Sequence, residues 1–414
     1  MGSFSIPLSG LTAAQNQLQS VSNNLSNINT NGFKEENVLF SDIFAQTGAI
    51  NGAGNPIQTG LGVTPCATMS NFTEGTLNPT GVASNMALSG NGFFVVQNSS
   101  GVNRFTRAGN FTASNAGFLT TPAGDLVMGY PAANGVVNTS APLQPLQVGT
   151  GVTTPAVATS SIQVSANLNA DTAVGGSGPI STLEVYDSLG SQHVLTVSYT
   201  KTAANTWNYS VTVPAADLTA GGTGNTVVGS GTLNFDGNGN LTSTSSVVPI
   251  SLPTLADGAT APQAIAGPFG TAANPTVTQT ASDSTTSATS QNGYASGTLQ
   301  SFAVESDGTI LGTFSGGASL ALGQVAVATF ANNQGLSDVG NNNYQVTAAS
   351  GAAVIGSAES GGRGTIVGGS VEQSNVDIAT EFSKLIVAQQ AYSANAKSIT
   401  TFNQISQATL QMLQ

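Results

Sequence analysis

The stretch GLTAAQNQLQSVSNNLSNINTNGFK, residues 10–34, decides how the whole chain is read. Leu11, Leu18 and Leu25 stand seven residues apart, and Ala14, Val21 and Ile28 form an interleaved second series. Apolar residues at this 3.5-residue spacing make the seam of a coiled coil, so the pattern predicts a helix over residues 3–30. The residues around the seam are poor helix formers. Asn and Ser compete with the helical backbone for hydrogen bonds and favour caps and turns. Gln and Asn also supply none of the i,i+4 ion pairs that steady an isolated helix. Such a helix is marginal alone and needs a partner.

The other end of the chain carries a matching pattern. Ile378, Leu385, Tyr392, Ile399 and Leu413 share one seven-residue series, with Ser406 in its gap. Phe382, Ala396 and Leu410 belong to a second, interrupted by Gln389 and Asn403. Residues 375–412 contain no Gly or Pro and are rich in Ala, Gln, Lys and Leu, which predicts one long helix. Ser374 or Asn375 would cap it, with Asp377 near its positive end. Two such termini can pair with each other, pair with copies in neighbouring molecules, or pack singly on the body between them. The pattern leaves these open.

The body between reads as strands and turns, in keeping with 50 glycines in 414 residues. Residues 31–71 read as irregular, with the Gly/Asn-rich run GAINGAGNPIQTGLG at 48–62. Hairpins are predicted over 85–130, three strands over 181–213 with turns at Asp187–Gln192 and Thr202–Asn205, and another hairpin over 231–242. Residues 255–296, rich in Ser, Thr and Ala, read as a linker or long loops. Strand patterns resume at 299–314 and 323–330.

Composition excludes several functions. Only 6% of residues are charged and the net charge is -12. No Lys or Arg occurs from Thr202 to Gly362, so the basic footprint of nucleic-acid binding is missing. No run of 18 apolar residues suggests membrane insertion, and the N-terminus lacks the basic and apolar regions of a cleaved signal. One cysteine, Cys66, excludes an internal disulfide framework, and one cysteine with one histidine, His193, rules out the usual multi-ligand zinc sites.

Nor does any motif carry catalysis. DGNGN at 236–240 begins like a calcium loop, but Leu241 stands where the loop needs Gly, so it reads as a tight turn. GGRGTIVGG at 361–369 has Val367 where a dinucleotide fingerprint has its third Gly. His193 reads as a surface or packing histidine and Cys66 as a small, partly buried hydrophobe. The sequence therefore predicts no catalytic residue, no metal and no cofactor.

The quoted N-terminal stretch resembles the signature shared by bacterial flagellar axial proteins. MALSGNGFFVV and RFTRAGNFTASNAGFLTTPAGDLVMGY, over 86–96 and 104–130, are similar to the core of hook and distal-rod proteins. Residues 364–413, from GTIVGGSVEQSNVDIATEFSKLIVAQQAYS onward, resemble their C-terminal signature. The middle discriminates: LEVYDSLGSQHVLTVSYTK and LNFDGNGNL look like the inserted domain of the hook protein family, which rods lack.

That resemblance implies a multidomain α+β chain and not an enzyme. Residues 1–30 with 375–414 would form a coiled-coil-like helical layer, and 31–71 with 355–374 a connecting region. Residues 72–147 with 293–354 would form an inner β domain, barrel- or sandwich-like, into which an outer β domain, 148–292, is inserted. Gly32, Gly52, Gly54, Gly361, Gly362 and Gly364 would be the flexible joint. The implied function is a self-assembling, curved tube acting as a universal joint between rod and filament. Its implied partners are further copies of the chain, the distal rod protein, the hook cap, the hook–filament junction proteins and the export apparatus. The implied place is the extracellular flagellum, reached without a cleaved signal. A distal-rod protein with an insertion, and a secreted β-rich adhesin or carbohydrate-active protein, are the alternatives. The second leaves the paired heptads unexplained.

Overall fold

A computed structural model describes residues 5–43, 46–50, 56–149, 151–245, 250–271 and 274–412. Gly52, Gly54 and Leu413 lie outside these residues. The described chain is mostly β, with one long helix near each end: α1, Ser5–Ser26, and α2, Ile378–Met412.

α1 stops at Ser26, short of the residue 30 that the heptads suggested. Asparagines take over the backbone there. The Asn27 amide nitrogen donates to the Asn23 carbonyl, 3.0 Å, and the Asn27 carbonyl accepts from the Thr30 N–H, 3.1 Å. Gly32 then adopts φ +69°, which only glycine takes without strain. α2 begins at Ile378, and its cap is Asp377, whose Oδ1 accepts the Thr380 N–H at 2.7 Å. Neither Ser374 nor Asn375 caps it. The Thr380 backbone bond holds the Asp377 carboxyl below its ordinary pKa.

The segment expected to be irregular, 31–71, contains an antiparallel hairpin. Glu36–Asp42 pairs with Val63–Ser70, and Gln46–Ile50 pairs with Pro56–Thr59. The ladder slips between Leu39 and Phe40, where Ala67 and Pro65 are the partners, so Cys66 is the extra residue of a bulge. A bulge accommodates Pro65 in a strand. Cys66 is exposed, not partly buried.

The described residues cluster into two compact units. One draws on Met1–Thr150, Phe302–Gly312 and Ala321–Gln414; the other on Gly151–Ser301 and Thr313–Leu320. The second thus runs past the 148–292 segment read from the sequence. In the first unit, strand Phe93–Gln97 pairs with Asn103–Thr106 on one side and Leu126–Val137 on the other. Phe94, Val96, Phe111, Leu119, Val127 and Val325 pack on one face, all fully buried. Phe93, Val95, Phe105 and Tyr344 pack on the other.

The second unit is built on an antiparallel meander of Ser177–Tyr186, Gln192–Ala203, Thr206–Pro214, Asn225–Phe235 and Leu241–Ser245. DGNGN is the turn between its last two strands; Asp236 Oδ1 accepts the Asn238 and Asn240 N–H groups. The supposed linker at 255–296 is not one. Its Val277–Thr280 and Thr285–Gln291 flank Ile162–Asn169 in a three-stranded sheet. Its periodicity was hidden because Thr and Ser occupy the outward positions and Gln279 an inward one. Gln279 is buried because its Oε1 accepts the indole N–H of the fully buried Trp207, 2.9 Å away.

Trp207 is the only tryptophan, so its emission reports the second unit alone. Leu168→Ala, which removes a fully buried side chain from that core, should lower the unit's stability by about 2–5 kcal/mol. Urea unfolding followed by tryptophan emission measures it; an unchanged midpoint would place Leu168 outside the load-carrying core.

Candidate assembly surface at the two ends of the chain

α1 and α2 lie side by side and antiparallel. Asn24 near the end of α1 donates to Glu381 near the start of α2, and Gly10 near the start of α1 faces Asn395 further along α2. Between these points Ala14, Val21 and Ala388 are buried. Leu11, Leu18 and Leu25 are half-buried, as are Leu385, Ala396 and Ile399. Tyr392 remains 39% exposed. Ile28 is half-buried but lies beyond the helix end.

The second α2 series is shifted by one residue from the sequence reading. Glu381, Ala388 and Asn395 face α1, whereas Phe382 and Leu410 are exposed; Ile378, of the first series, is exposed as well. Hydropathy could not find this face because its first member is a glutamate. Glu381 is 1% exposed because polar partners surround it: Asn24 donates to Oε2 at 3.1 Å and Lys384 to Oε1 at 2.7 Å.

Asn24 also locks the hairpin to the helices. Its amide nitrogen donates to the Glu36 carbonyl, 2.9 Å, and its Oδ1 accepts the Glu36 N–H, 2.9 Å. Lys384 reaches across to Glu35 Oε1 at 2.5 Å. Burial works to raise the Glu35 carboxyl, but hydrogen bonds from Lys384 and Asn71 outweigh it, and the group sits below its ordinary value. Burial likewise works to lower Lys384, yet bonds to Glu35 and Glu381 leave it raised. Asn375 is a clasp rather than a cap. Its Oδ1 accepts the Glu35 N–H, and its amide donates to the carbonyls of Asn71 and Thr73.

Below this lies a fully buried charge cluster. Lys34 and Glu372 are wholly shielded from solvent and paired at 2.5 Å. Glu372 Oε1 also accepts the Gly75 N–H, 2.9 Å, and Arg107 stands 3.6 Å from Oε2. Lys34 donates to the Thr73 carbonyl, and Arg107 to those of Leu88 and Gly90. Burial pushes both cations below their ordinary pKa values, opposed by Glu372. Sequence reading missed this cluster. One signal was available: a chain with seven basic residues brings three of them, Lys34, Arg107 and Lys384, to this junction.

The joint glycines divide. Gly32 is not a hinge: its N–H donates to the Glu372 carbonyl, and an added Cβ would lie 2.5 Å from the Ala108 backbone. Gly364 is pinned likewise, with the Ser89 carbonyl 2.0 Å from a would-be Cβ. Gly361 and Gly362 adopt φ +62° and +78° in a turn, and Gly362 has open space.

Comparison with known proteins matches four family descriptions in chain order: Flagella basal body rod protein over 6–34, Flagellar hook protein FlgE/F/G D1 domain over 87–181, Flagellar basal body protein FlaE D2 domain over 165–294, and Flagellar basal body rod FlgEFG protein C-terminal over 367–412. The flagellar hook protein FlgE of Salmonella typhimurium is 35% identical across 97% of this chain and 98% of its own length. That of Treponema pallidum is 34% identical across 95% and 96%. The chain belongs to the flagellar hook protein family. The crystal structure of Helicobacter pylori flagellar hook protein FlgE2 covers 70% of this chain and 98% of its own, at TM-score 0.53 and 16% identity, and so shares the fold. The family is structural rather than enzymatic. No described helix is long and apolar enough to cross a membrane.

Two predictions follow from the charged junction. Glu372→Gln removes the partner of two buried cations and should cost about 3–5 kcal/mol. Chemical unfolding of the first unit, followed by circular dichroism, measures it; a loss below about 1 kcal/mol would show that water reaches the cluster. The second concerns acid. A carboxyl with a depressed folded pKa contributes stability above its unfolded value, and that contribution is lost as pH falls through the folded one. The Lys384–Glu35 pair should therefore weaken as pH drops below the ordinary Glu value of 4.5. Burial raises Glu36 and works in the opposite sense. The informative quantity is thus the difference between wild type and Glu35→Gln. Amide exchange over 381–388 should be slower in the wild type at pH 7, and the two should converge as pH falls through the lowered Glu35 pKa. Equal exchange of the two proteins at pH 7 would remove the pair from the account.

Proposed function

We propose that the chain is the structural subunit of the flagellar hook, assembling with copies of itself into a curved, flexible tube that carries torque from rod to filament. The similarity to curated hook proteins over nearly the full length of both chains carries this reading. The match to the D2 description at 165–294 favours hook over a plain rod protein.

The helices support self-assembly by what they leave uncovered. At 1.5 Å per residue α2 is roughly 52 Å long and α1 roughly 33 Å. Every described residue of α2 beyond Ile399 is exposed, including Ile405, Leu410 and Met412. Ile378, Phe382, Ile386 and Val387 are also exposed, as are Ile6 and Leu8 of α1. In a chain this poor in charge, such a stripe suits a second copy. The coiled-coil-like layer is then completed between subunits, with Ile378, Phe382 and Leu410 at the intermolecular seam and Leu11, Leu18 and Leu385 at the intramolecular one. On this reading the outer β domain is nested in the inner one. The exposed turn at Gly361 and Gly362 supplies joint movement. The distal rod protein, hook cap, junction proteins and export apparatus are the partners, outside the cell and without signal cleavage.

Phe382→Asp and Leu410→Asp should leave the monomer folded, because both side chains are already substantially exposed, yet block assembly by placing charge in a packed seam. Negative-stain microscopy under polymerising salt decides it. Tubes from wild type and none from either variant are expected; normal tubes from both variants would remove these residues from the seam.

A further inference from the structure

The second unit holds the chain's one histidine in an unexpected setting. His193 is 6% exposed, on the buried face of its strand and opposite Val185, and is not a surface histidine. Three carboxylates surround it. Asp217 Oδ2 lies 3.1 Å from Nδ1, Asp187 Oδ2 lies 3.3 Å from Nε2, and Asp257 Oδ2 lies 3.9 Å from Nε2. The partner oxygens hold these side chains in place. Asp187 Oδ1 accepts the N–H groups of Leu189 and Ser191, both 2.8 Å, and Asp257 Oδ1 accepts that of Ala259, 3.1 Å. The Asp217 carbonyl accepts the Ala256 N–H, 2.9 Å, which joins the 3-10 turn Ala215–Asp217 to the loop that supplies Asp257.

This geometry leaves a problem of lone pairs. A neutral imidazole whose Nδ1–H donates to Asp217 presents a bare lone pair at Nε2. That lone pair faces two carboxylate oxygens, which also only accept. The three atoms lie within 4.8 Å of one another. Among the described residues no lysine or arginine pairs with them: none occurs from Thr202 to Gly362, and Lys201 is turned to the Ala170 carbonyl. Converging buried acceptors need a cation or a proton between them.

We propose that Asp187, His193 and Asp257 bind one divalent transition-metal ion of the zinc or manganese kind, with Asp217 as the outer carboxylate that orients the imidazole. One nitrogen and two carboxylate oxygens suit such an ion, whereas calcium seeks six to eight oxygens. Bonds of about 2.0–2.2 Å from each donor set the donor atoms about 3–3.5 Å apart, near the separations seen. Only Asp257 needs to move inward, and it is the partly exposed member. Its exposure, with that of Asp217, gives the ion a path in and leaves room for water ligands. The carboxylate–histidine–metal order is the usual way a ligating imidazole is held. Counting histidines and cysteines could not find the site, because two of its three ligands are aspartates from separate loops. Its effect would be mechanical: the ion would clamp the 255–259 loop to the meander strand carrying His193. It does not depend on the hook reading, and its test needs no polymer.

The test uses the full, untagged chain, dialysed against chelator and titrated calorimetrically with zinc, manganese and calcium chlorides. Saturable uptake of one zinc or manganese ion per chain is expected, with a raised urea midpoint for the Trp207 transition. Asp257→Asn should abolish uptake, and Asp217→Asn should weaken it about 10–100-fold. Because His193 is the only histidine, its ring resonances report occupancy directly; zinc should shift Nε2 and leave Nδ1 protonated. No saturable uptake of either metal, or uptake unchanged in Asp257→Asn, would overturn the site. So would an imidazolium that stays doubly protonated at pH 7 under saturating zinc, which would make the cluster a plain buried ion pair.

Discussion

A carboxylate with no access to water, that of Glu372, is the point on which the first unit turns. It joins residues far apart in sequence: Lys34, Gly75 and Arg107 through its side chain, and Gly32 through its carbonyl. Buried charges persist only when each is paired and hydrogen-bonded. The exit from α1, the hairpin that follows, the first β strands and the approach to α2 must therefore all arrive together. Asn24 and Glu381 repeat the device one layer out, fixing the register of the two helices with polar bonds that a slipped pairing would leave unmade. An apolar seam of small and medium residues would tolerate such slippage; a buried Asn–Glu pair does not.

This arrangement divides labour between polar and apolar groups. Specific polar contacts set the geometry within a chain, where Lys34, Glu372, Asn24 and Glu381 are buried. The apolar side chains of α2 are left largely to solvent. A low charge fraction suits the proposed assembly, because copies meeting along such a stripe would face little like-charge repulsion and few salt-sensitive contacts. In the proposed assembly the helices gain further stability when stacked with other copies.

The heptads made both helices legible, and the alternation in STLEVY and HVLTVSYTK gave the meander with its turns. The hairpin at 36–70 was obscured by Pro65 and by the Gly/Asn-rich run, which read as breakers, although Pro65 sits beside a bulge and the paired strands 46–50 and 56–59 draw on part of that run. The strands within 277–291 escaped because threonine outside and glutamine inside flatten the hydropathy signal. The shift from Phe382 to Glu381 escaped for a deeper reason. A buried ionised residue is favourable only through partners distant in sequence, and periodicity does not see partners. The same holds for Glu372 and for the carboxylates around His193. Gly32 and Gly364 were recognisable as special, but sequence could not say whether a glycine is there to bend or to let another backbone come close.

The central claim is that polar bonds hold the helices together within one chain while the outer stretch of α2 is completed by other copies. Hydrogen–deuterium exchange on dilute monomer and on assembled tubes tests this directly. Amides 381–395 should be protected in both states, and amides 400–412 only in the tube. Protection of 400–412 in the dilute monomer, or its absence in the tube, would contradict the account.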